Sequence, residues 1–295
     1  MKPNLSLRVF AAVALTIALL CTLPGCAGKK QNVWGDTKSG LILEYRMEPG
    51  EMLKYQMVQE GVERVEVMGQ TNESATSKTY VYTVEPRGME GENRVLGITI
   101  DSMEGSLKTV QGEFSADAEP LIGKSFDLVL SPLGDEIDLS GAESLVYGVG
   151  PMGERSIMPD FQGAFNDLAG KPVKVGDSWT STDTINVDEG NVALVIASMT
   201  VNRLDGYEKV EGLDCARVVG EINGTITGTG EQMGAPLVFD GGLTGTETWY
   251  FAYKQGYFVK SSADWTSDIT VTVQAGQEMK VPVKATSSMR ITLIK

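Results

Sequence analysis

Histidine is missing from the 295-residue sequence. Its absence removes the Ser-His-Asp and Cys-His nucleophile systems and imidazole-bound zinc, and leaves carboxylates, lysine, tyrosine or water to move any proton. Cysteine is nearly as scarce, with three residues at positions 21, 26 and 215. Neither a G-x-S-x-G nucleophile elbow nor a P-loop is present. Basic side chains are outnumbered, 25 against 39 acidic, and the formal net charge of −14 repels phosphate, which argues against nucleic acid as a partner. What remains is an ordinary folded composition, 42% apolar and 22% charged, long enough for one large all-β domain or two small ones.

Residues 1–25 read as an export signal: Lys2 and Arg8, an apolar run from Val9 to Leu20 too short to span a bilayer, then Leu23-Pro24-Gly25 before Cys26. Leu23-Pro24-Gly25-Cys26 resembles the lipobox of bacterial lipoproteins, which implies that Cys26 is acylated and becomes the new N-terminus. Ordinary secretory cleavage is the alternative. Cleavage before Cys26 removes two basic residues and no acidic one, taking the net charge to −16. Membrane attachment then falls to the acyl chains, at about 0.8 kcal/mol per buried methylene, rather than to a polybasic patch. Cys215 is left without a disulfide partner and reads as a small buried hydrophobe. Ala27, by resemblance to enteric lipoprotein sorting, implies the outer membrane. Residues 26–40, polar and glycine-bearing, read as a lipidated flexible tether.

From Leu41 onward the apolar residues alternate with period two, the mark of strands with one buried face. Leu41, Leu43, Tyr45 and Met47 begin the pattern; Leu53, Tyr55, Met57, then Tyr80, Tyr82, Val84, then Leu96, Ile98, Ile100 and Phe126, Leu128, Leu130 continue it. The odd positions from Trp249 to Leu293 extend it as a long antiparallel meander. Lys254-Gln255-Gly256 predicts a three-residue hairpin loop with a left-handed Gly256, pairing Tyr253 with Tyr257, Phe251 with Val259 and Trp249 with Ser261. Asn191 to Val201 is apolar at both parities, which predicts cover on both faces. The fold class expected is mainly β, an antiparallel half-barrel or curved sheets.

One stretch has a different period. Phe161, Ala164, Phe165 and Leu168 stand at i, i+3, i+4 and i+7, with Asp160 as a start cap, Gly170 as a stop and Pro172 beyond it, predicting one short central amphipathic helix over about 160–169. Its task is to cover a sheet face. Gly50-Glu51 and Gly176-Asp177, Glu90-Gly91 and Glu211-Gly212, and Gly134 and Gly256 recur 121 to 126 residues apart. These pairs read either as a duplicated module or as coincidence among 34 glycines. The organisation expected is a β half over 41–156, the helix within 157–170, and a second β half over 171–295.

Few residues carry chemistry. Gly148-Val149-Gly150-Pro151-Met152-Gly153 matches G-x-G-x-x-G, but Pro151 and the surrounding antiparallel pattern do not suit a dinucleotide site, and no cofactor is expected. The acids Asp135, Glu136 and Asp138, and Asp183, Asp188 and Glu189, could ligate calcium but lack EF-hand spacing and read as solvated turns, so no metal site is expected. Trp179, Trp249, Phe251, Tyr253, Tyr257 and Trp265 are the candidate contacts for an apolar ligand; a packed core is the competing reading.

Val175-Gly176-Asp177-Ser178-Trp179 and Tyr45-Arg46-Met47-Glu48-Pro49-Gly50-Glu51 resemble elements of Gram-negative outer-membrane lipoproteins. The hairpin from Trp249-Tyr250-Phe251 to Gly256-Tyr257-Phe258-Val259 is similar to one in the lipoprotein-carrier and receptor superfamily. That resemblance implies an antiparallel half-barrel around a helix with a lipophilic concave face, although cargo does not follow from it, since the carrier is not lipidated and is shorter. The function expected is a non-enzymatic, lipid-anchored envelope protein binding an apolar ligand or an acylated protein. A structural or assembly lipoprotein working through protein contacts is the alternative, and a carboxylate-based hydrolase a third. Radiolabelled palmitate should be incorporated at Cys26 and lost in Cys26→Ala, with the variant accumulating as the uncleaved precursor; label retained in the variant would remove the anchor from this reading.

Overall fold

The computed structural model describes residues 33–294 except 68, 151, 152, 190, 233 and 276, so the export signal and Cys26 lie outside the described residues. A small hairpin comes first, β1 (Gly35–Asp36) against β2 (Gly40–Leu41), with the Trp34 side chain packed on the core. Structure therefore starts inside the stretch read as tether. Strands β3 (Leu53–Val67), β4 (Gln70–Glu90) and β5 (Asn93–Thr109) form a meander extended by β6 (Gly112–Ser115), β7 (Ser125–Leu130) and β8 (Glu136–Asp138). After a short hairpin of β9 (Val146–Gly148) and β10 (Glu154–Ser156) and one helical turn, α1 (Met158–Phe161), a second meander runs through β11 (Ser178–Glu189), β12 (Val192–Val210), β13 (Leu213–Gln232), β14 (Ala235–Ala252), β15 (Tyr257–Ala275) and β16 (Gln277–Ile294).

All but the two small hairpins join one 12-stranded antiparallel sheet, in the order β11-β12-β13-β14-β15-β16-β3-β4-β5-β7-β8 with β6 on β5. The sheet curls into a half-barrel, as the alternation predicts. The two meanders meet at its centre, where β16 pairs with β3 from Val283↔Val65 to Ile294↔Lys54. The last strand is thus an inner strand, and Pro282, which has no N–H to give, stands where its pairing with β3 stops.

The segment between the meanders fills one end of the concave face. Phe161 sits edge-on among Tyr80, Tyr82 and Phe126, at centroid distances of 5.6, 5.2 and 5.4 Å. Phe165 is held between Tyr45 and Phe258, both at 5.7 Å. Such ring pairs add about 0.5–1.5 kcal/mol each beyond the area they bury. Phe161, Ala164, Phe165 and Leu168 are all buried, as the helical spacing requires, but the helix is a single turn. Glu136 is the reason: its carboxylate accepts the N–H groups of Gly163 and Phe165 at 2.9 and 3.2 Å, and Gly163 takes a left-handed φ of 74°, so the chain leaves the helix after Phe161. Asp160 does not cap the helix either; it accepts from the Tyr80 hydroxyl at 2.6 Å and pairs with Lys78.

Two further expectations are corrected. The β14–β15 loop runs from Tyr253 to Gly256, and a register shift after Tyr250 pairs Phe251 with Phe258, while Trp249 keeps Ser261. That shift lets Phe251, Phe258 and Val259 all be buried. The outer face of β12 is not covered: Val195, Met199 and Val201 are exposed. G-x-G-x-x-G falls on the antiparallel β9–β10 hairpin, where Gly148 pairs with Glu154.

The three landmark pairs fall on matching turns: before β3 and β11, between β4–β5 and β12–β13, and between β7–β8 and β14–β15. The halves also clasp reciprocally. Arg46, ahead of the first meander, donates its N–H to Gly256 O of the second at 2.9 Å, and Leu168, ahead of the second, donates to Leu133 O of the first at 2.6 Å. At Gly256 (φ 84°) an added Cβ would lie 2.6 Å from Arg46 Cβ, whereas Gly50 (φ 86°) has open space around it. Gly50→Ala should therefore cost about 1–2 kcal/mol, the left-handed penalty alone. Gly256→Ala should cost clearly more and lower the urea midpoint further, by contact as well as conformation; equal midpoints would show that the Arg46 clasp adds nothing.

Candidate ligand-binding groove

The strands are longer than the segment that covers them. Past Phe161 the inward residues of the second meander and its neighbours face a groove of about 440 Å³, within the range of small-molecule clefts. Ile185, Ile196, Ile222, Ile226, Leu243, Trp265 and Met289 supply apolar walls, and Pro159, Asp160 and Gln162 of the covering segment close one end.

Glycines set where those walls stand. On the inward face of β13 and β14 an added Cβ at Gly220 would lie 2.6 Å from Glu247 Cγ, at Gly224 3.2 Å from Leu243 Cγ, and at Gly245 2.7 Å from Trp265 Cβ. Each missing side chain is the space into which a cross-strand neighbour leans.

A second, smaller chamber of about 220 Å³ adjoins the groove, and Gln162, Gly163, Asp183 and Ile185 line both. Its walls are the two outermost strands of the sheet: Gly134, Asp135 and Glu136 at β8, and Thr182, Asp183, Thr184 and Ile185 on β11. The chamber thus lies at the seam between the two ends of the sheet. Asp167 lines it from the covering segment, and no Lys or Arg does. Glu247 faces the groove nearby, accepting from Trp249 Nε1 at 3.0 Å.

Removal from water raises four of them, Glu136, Asp167, Asp183 and Glu247. Burial pushes Glu136 up to about 8 against the pull of its two backbone donors. Burial, then the charge of Asp183, brings Asp167 to about 7; burial brings Glu247 to about 7; Asp183 is raised by burial and by Asp135. Among the described residues no group of three or more acids or cysteines is placed to hold a metal ion.

Of the six aromatic candidates, Trp265 lines the groove. Trp249, Phe251, Tyr253 and Tyr257 are buried in the core, and Trp179 packs on that core with its ring 6.0 Å from Trp249 and its Nε1 donating to Asp167 O at 3.1 Å. Asp135 and Glu136 from one acidic stretch meet Asp183 from the other, whereas Asp138 points to solvent. Glu247 and Asp167 were missed. Glu247 was findable, since it shares the inward parity of Trp249 and Phe251 and is an acid at an apolar position. Cys215 is buried and free, its thiol pushed up to about 11 by burial.

No protein family and no curated protein matches the sequence. Among solved structures, an outer membrane channel from Pseudomonas putida F1 is similar with a TM-score of 0.27 and 9% identity, over 85% of this chain and 97% of that one. OccK2 (OpdF) of Pseudomonas aeruginosa gives a TM-score of 0.22 and 6% identity over 84% and 100%. A DUF1329 family protein from Desulfovibrio piger gives 0.14 and 12% over 81% and 85%. At TM-scores this low the likeness carries no functional weight, and the function rests on the groove itself.

With no histidine in the chain, Glu136, Asp167 and Glu247 are described acids that titrate near neutrality. They hold protons more tightly folded than at their ordinary values of 4.5 and 3.8, so between about pH 4 and 8 the folded state carries the extra protons. Stability is then fullest at the acid end of that window and falls as pH rises through 7 to 8, by at most about 1.4 kcal/mol per pH unit for each group. The urea midpoint should be higher at about pH 5.5 than at about pH 8.5, and Glu136→Gln should flatten the difference; a midpoint that rises with pH would contradict the burial of these acids.

Proposed function

We propose that this is a non-enzymatic, lipid-anchored envelope protein that holds an apolar ligand, a lipid or the acyl chain of an acylated protein, against the concave face of its sheet. The observation that carries the reading is that the apolar parity of β11 to β16 continues past the covering segment into an open groove walled by Ile196, Ile226, Leu243 and Trp265. A face built only as core would end where its cover ends. Ile226 and Leu243 form the buried floor, while Ile196 and Trp265 are only partly buried and forgo part of the roughly 1.5–3 kcal/mol that full burial would contribute, which an apolar ligand restores.

The neutral probe N-phenyl-1-naphthylamine, titrated into the folded domain, should bind saturably at one site and change the Trp265 fluorescence, a change absent in Trp265→Phe. Ile196→Glu, at a half-buried wall position, should weaken uptake about tenfold with the urea midpoint little altered. Uptake that is unsaturable or indifferent to Ile196→Glu would refute the groove as a ligand site. It would transfer the weight to an assembly protein acting through its surface, for which the exposed Val195, Met199 and Val201 on β12 are the place to start.

A further inference from the structure

The seam chamber narrows the ligand class. Asp135, Glu136, Asp167 and Asp183 line it without a basic residue, and the groove beside it adds Glu247. The one lysine of the groove, Lys78, is already paired with Asp160. Carboxylates only accept when ionised, so this corner of the molecule is rich in acceptors and poor in donors.

Two amide oxygens show the same shortage independently. Gln162, which lines both groove and chamber, has a buried Oε1 with no hydrogen-bond partner. Asn202 is 1% exposed; its Nδ2 donates to Ser181 Oγ at 3.1 Å, but its Oδ1 is unpartnered. Asn202 stands in the same cross-strand row as Glu247, with only Gly220 between them. A buried acceptor left without a donor forfeits the hydrogen bond it made to water and gains none in its place. Partially protonated acids relieve some of the shortage; a cationic donor at the junction supplies what Gln162, which lines both cavities, lacks.

We infer that the preferred ligand is a single-chain amphiphile whose apolar tail lies in the groove and whose primary ammonium head, without phosphate, sits at the junction with the seam chamber beside Asp183, Glu247 and Gln162. This rests on the groove reading above and adds the head group to it. An ammonium supplies three donors and a positive charge on a compact centre, matching what the junction lacks. A phosphate or carboxylate head would meet uncompensated like charge in a low-dielectric site.

The test uses matched twelve-carbon amphiphiles below their micellar concentration, displacing N-phenyl-1-naphthylamine from the folded domain at about pH 8.5. Dodecylammonium should bind at least tenfold more tightly than dodecanol or dodecanoate. The double variant Asp183→Asn, Glu247→Gln should erase that preference, bringing dodecylammonium affinity down to that of dodecanol measured on the same variant, and Gln at position 247 retains an oxygen for the Trp249 Nε1 proton. A cooperative urea transition close to that of the unaltered protein reports that the variant has kept its fold. Equal binding of all three amphiphiles would overturn the head-group inference and leave the groove reading standing. Displacement by none of them would overturn the groove reading, and a preference for dodecylammonium that survives the double variant would overturn the assigned position of the head.

Discussion

Strand parity places the same set of side chains on the concave side along the whole length of each long strand, and the covering segment reaches only one end of that side. Most features of the structure follow from that mismatch in length. Where Phe161, Phe165 and Leu168 arrive, the inward residues become a sealed core with ring pairs on every side. Beyond them, residues of identical chemistry and parity, Ile196, Ile226 and Trp265 among them, become the walls of a groove. The difference between core and groove is therefore set by the reach of the covering segment together with the strands themselves, which bring Asp183, Ser198, Glu247 and Ser267 into the same lining.

The strands themselves were legible because period-two alternation is a local property, and the inward sets from Leu53 to Leu130 and from Trp249 to Leu293 lie where the pattern puts them. The central helix was not, because its spacing reports which side chains are buried and says nothing of where the N–H groups find acceptors. Glu136, a residue far away in the chain, takes two of those N–H groups and ends the helix after one turn. The groove was legible only in part for a related reason. All six aromatics have inward-compatible positions, but burial depends on how far each lies from the covering segment, and Trp265 alone among them reaches the groove lining.

The acidic seam shows the other limit. Asp135 and Glu136 precede or open β8, Asp183 sits on β11, and these strands are the two ends of the sheet, so their meeting depends on curl rather than on sequence proximity. Glycines shape the groove beside the seam, their absent side chains leaving the space into which Glu247, Leu243 and Trp265 lean across neighbouring strands.

The central ladder between β3 and β16 bears on how the chain becomes folded. Its partners come from opposite ends of the described residues, so its closure pays loop entropy for nearly the whole domain before any of its hydrogen bonds are gained. Until Gln277–Ile294 has been synthesised, β3 presents an open edge beside a finished meander, and that edge is a template for mispairing. A chain built this way is slow to commit to its native topology, because its central ladder is also its longest-range one.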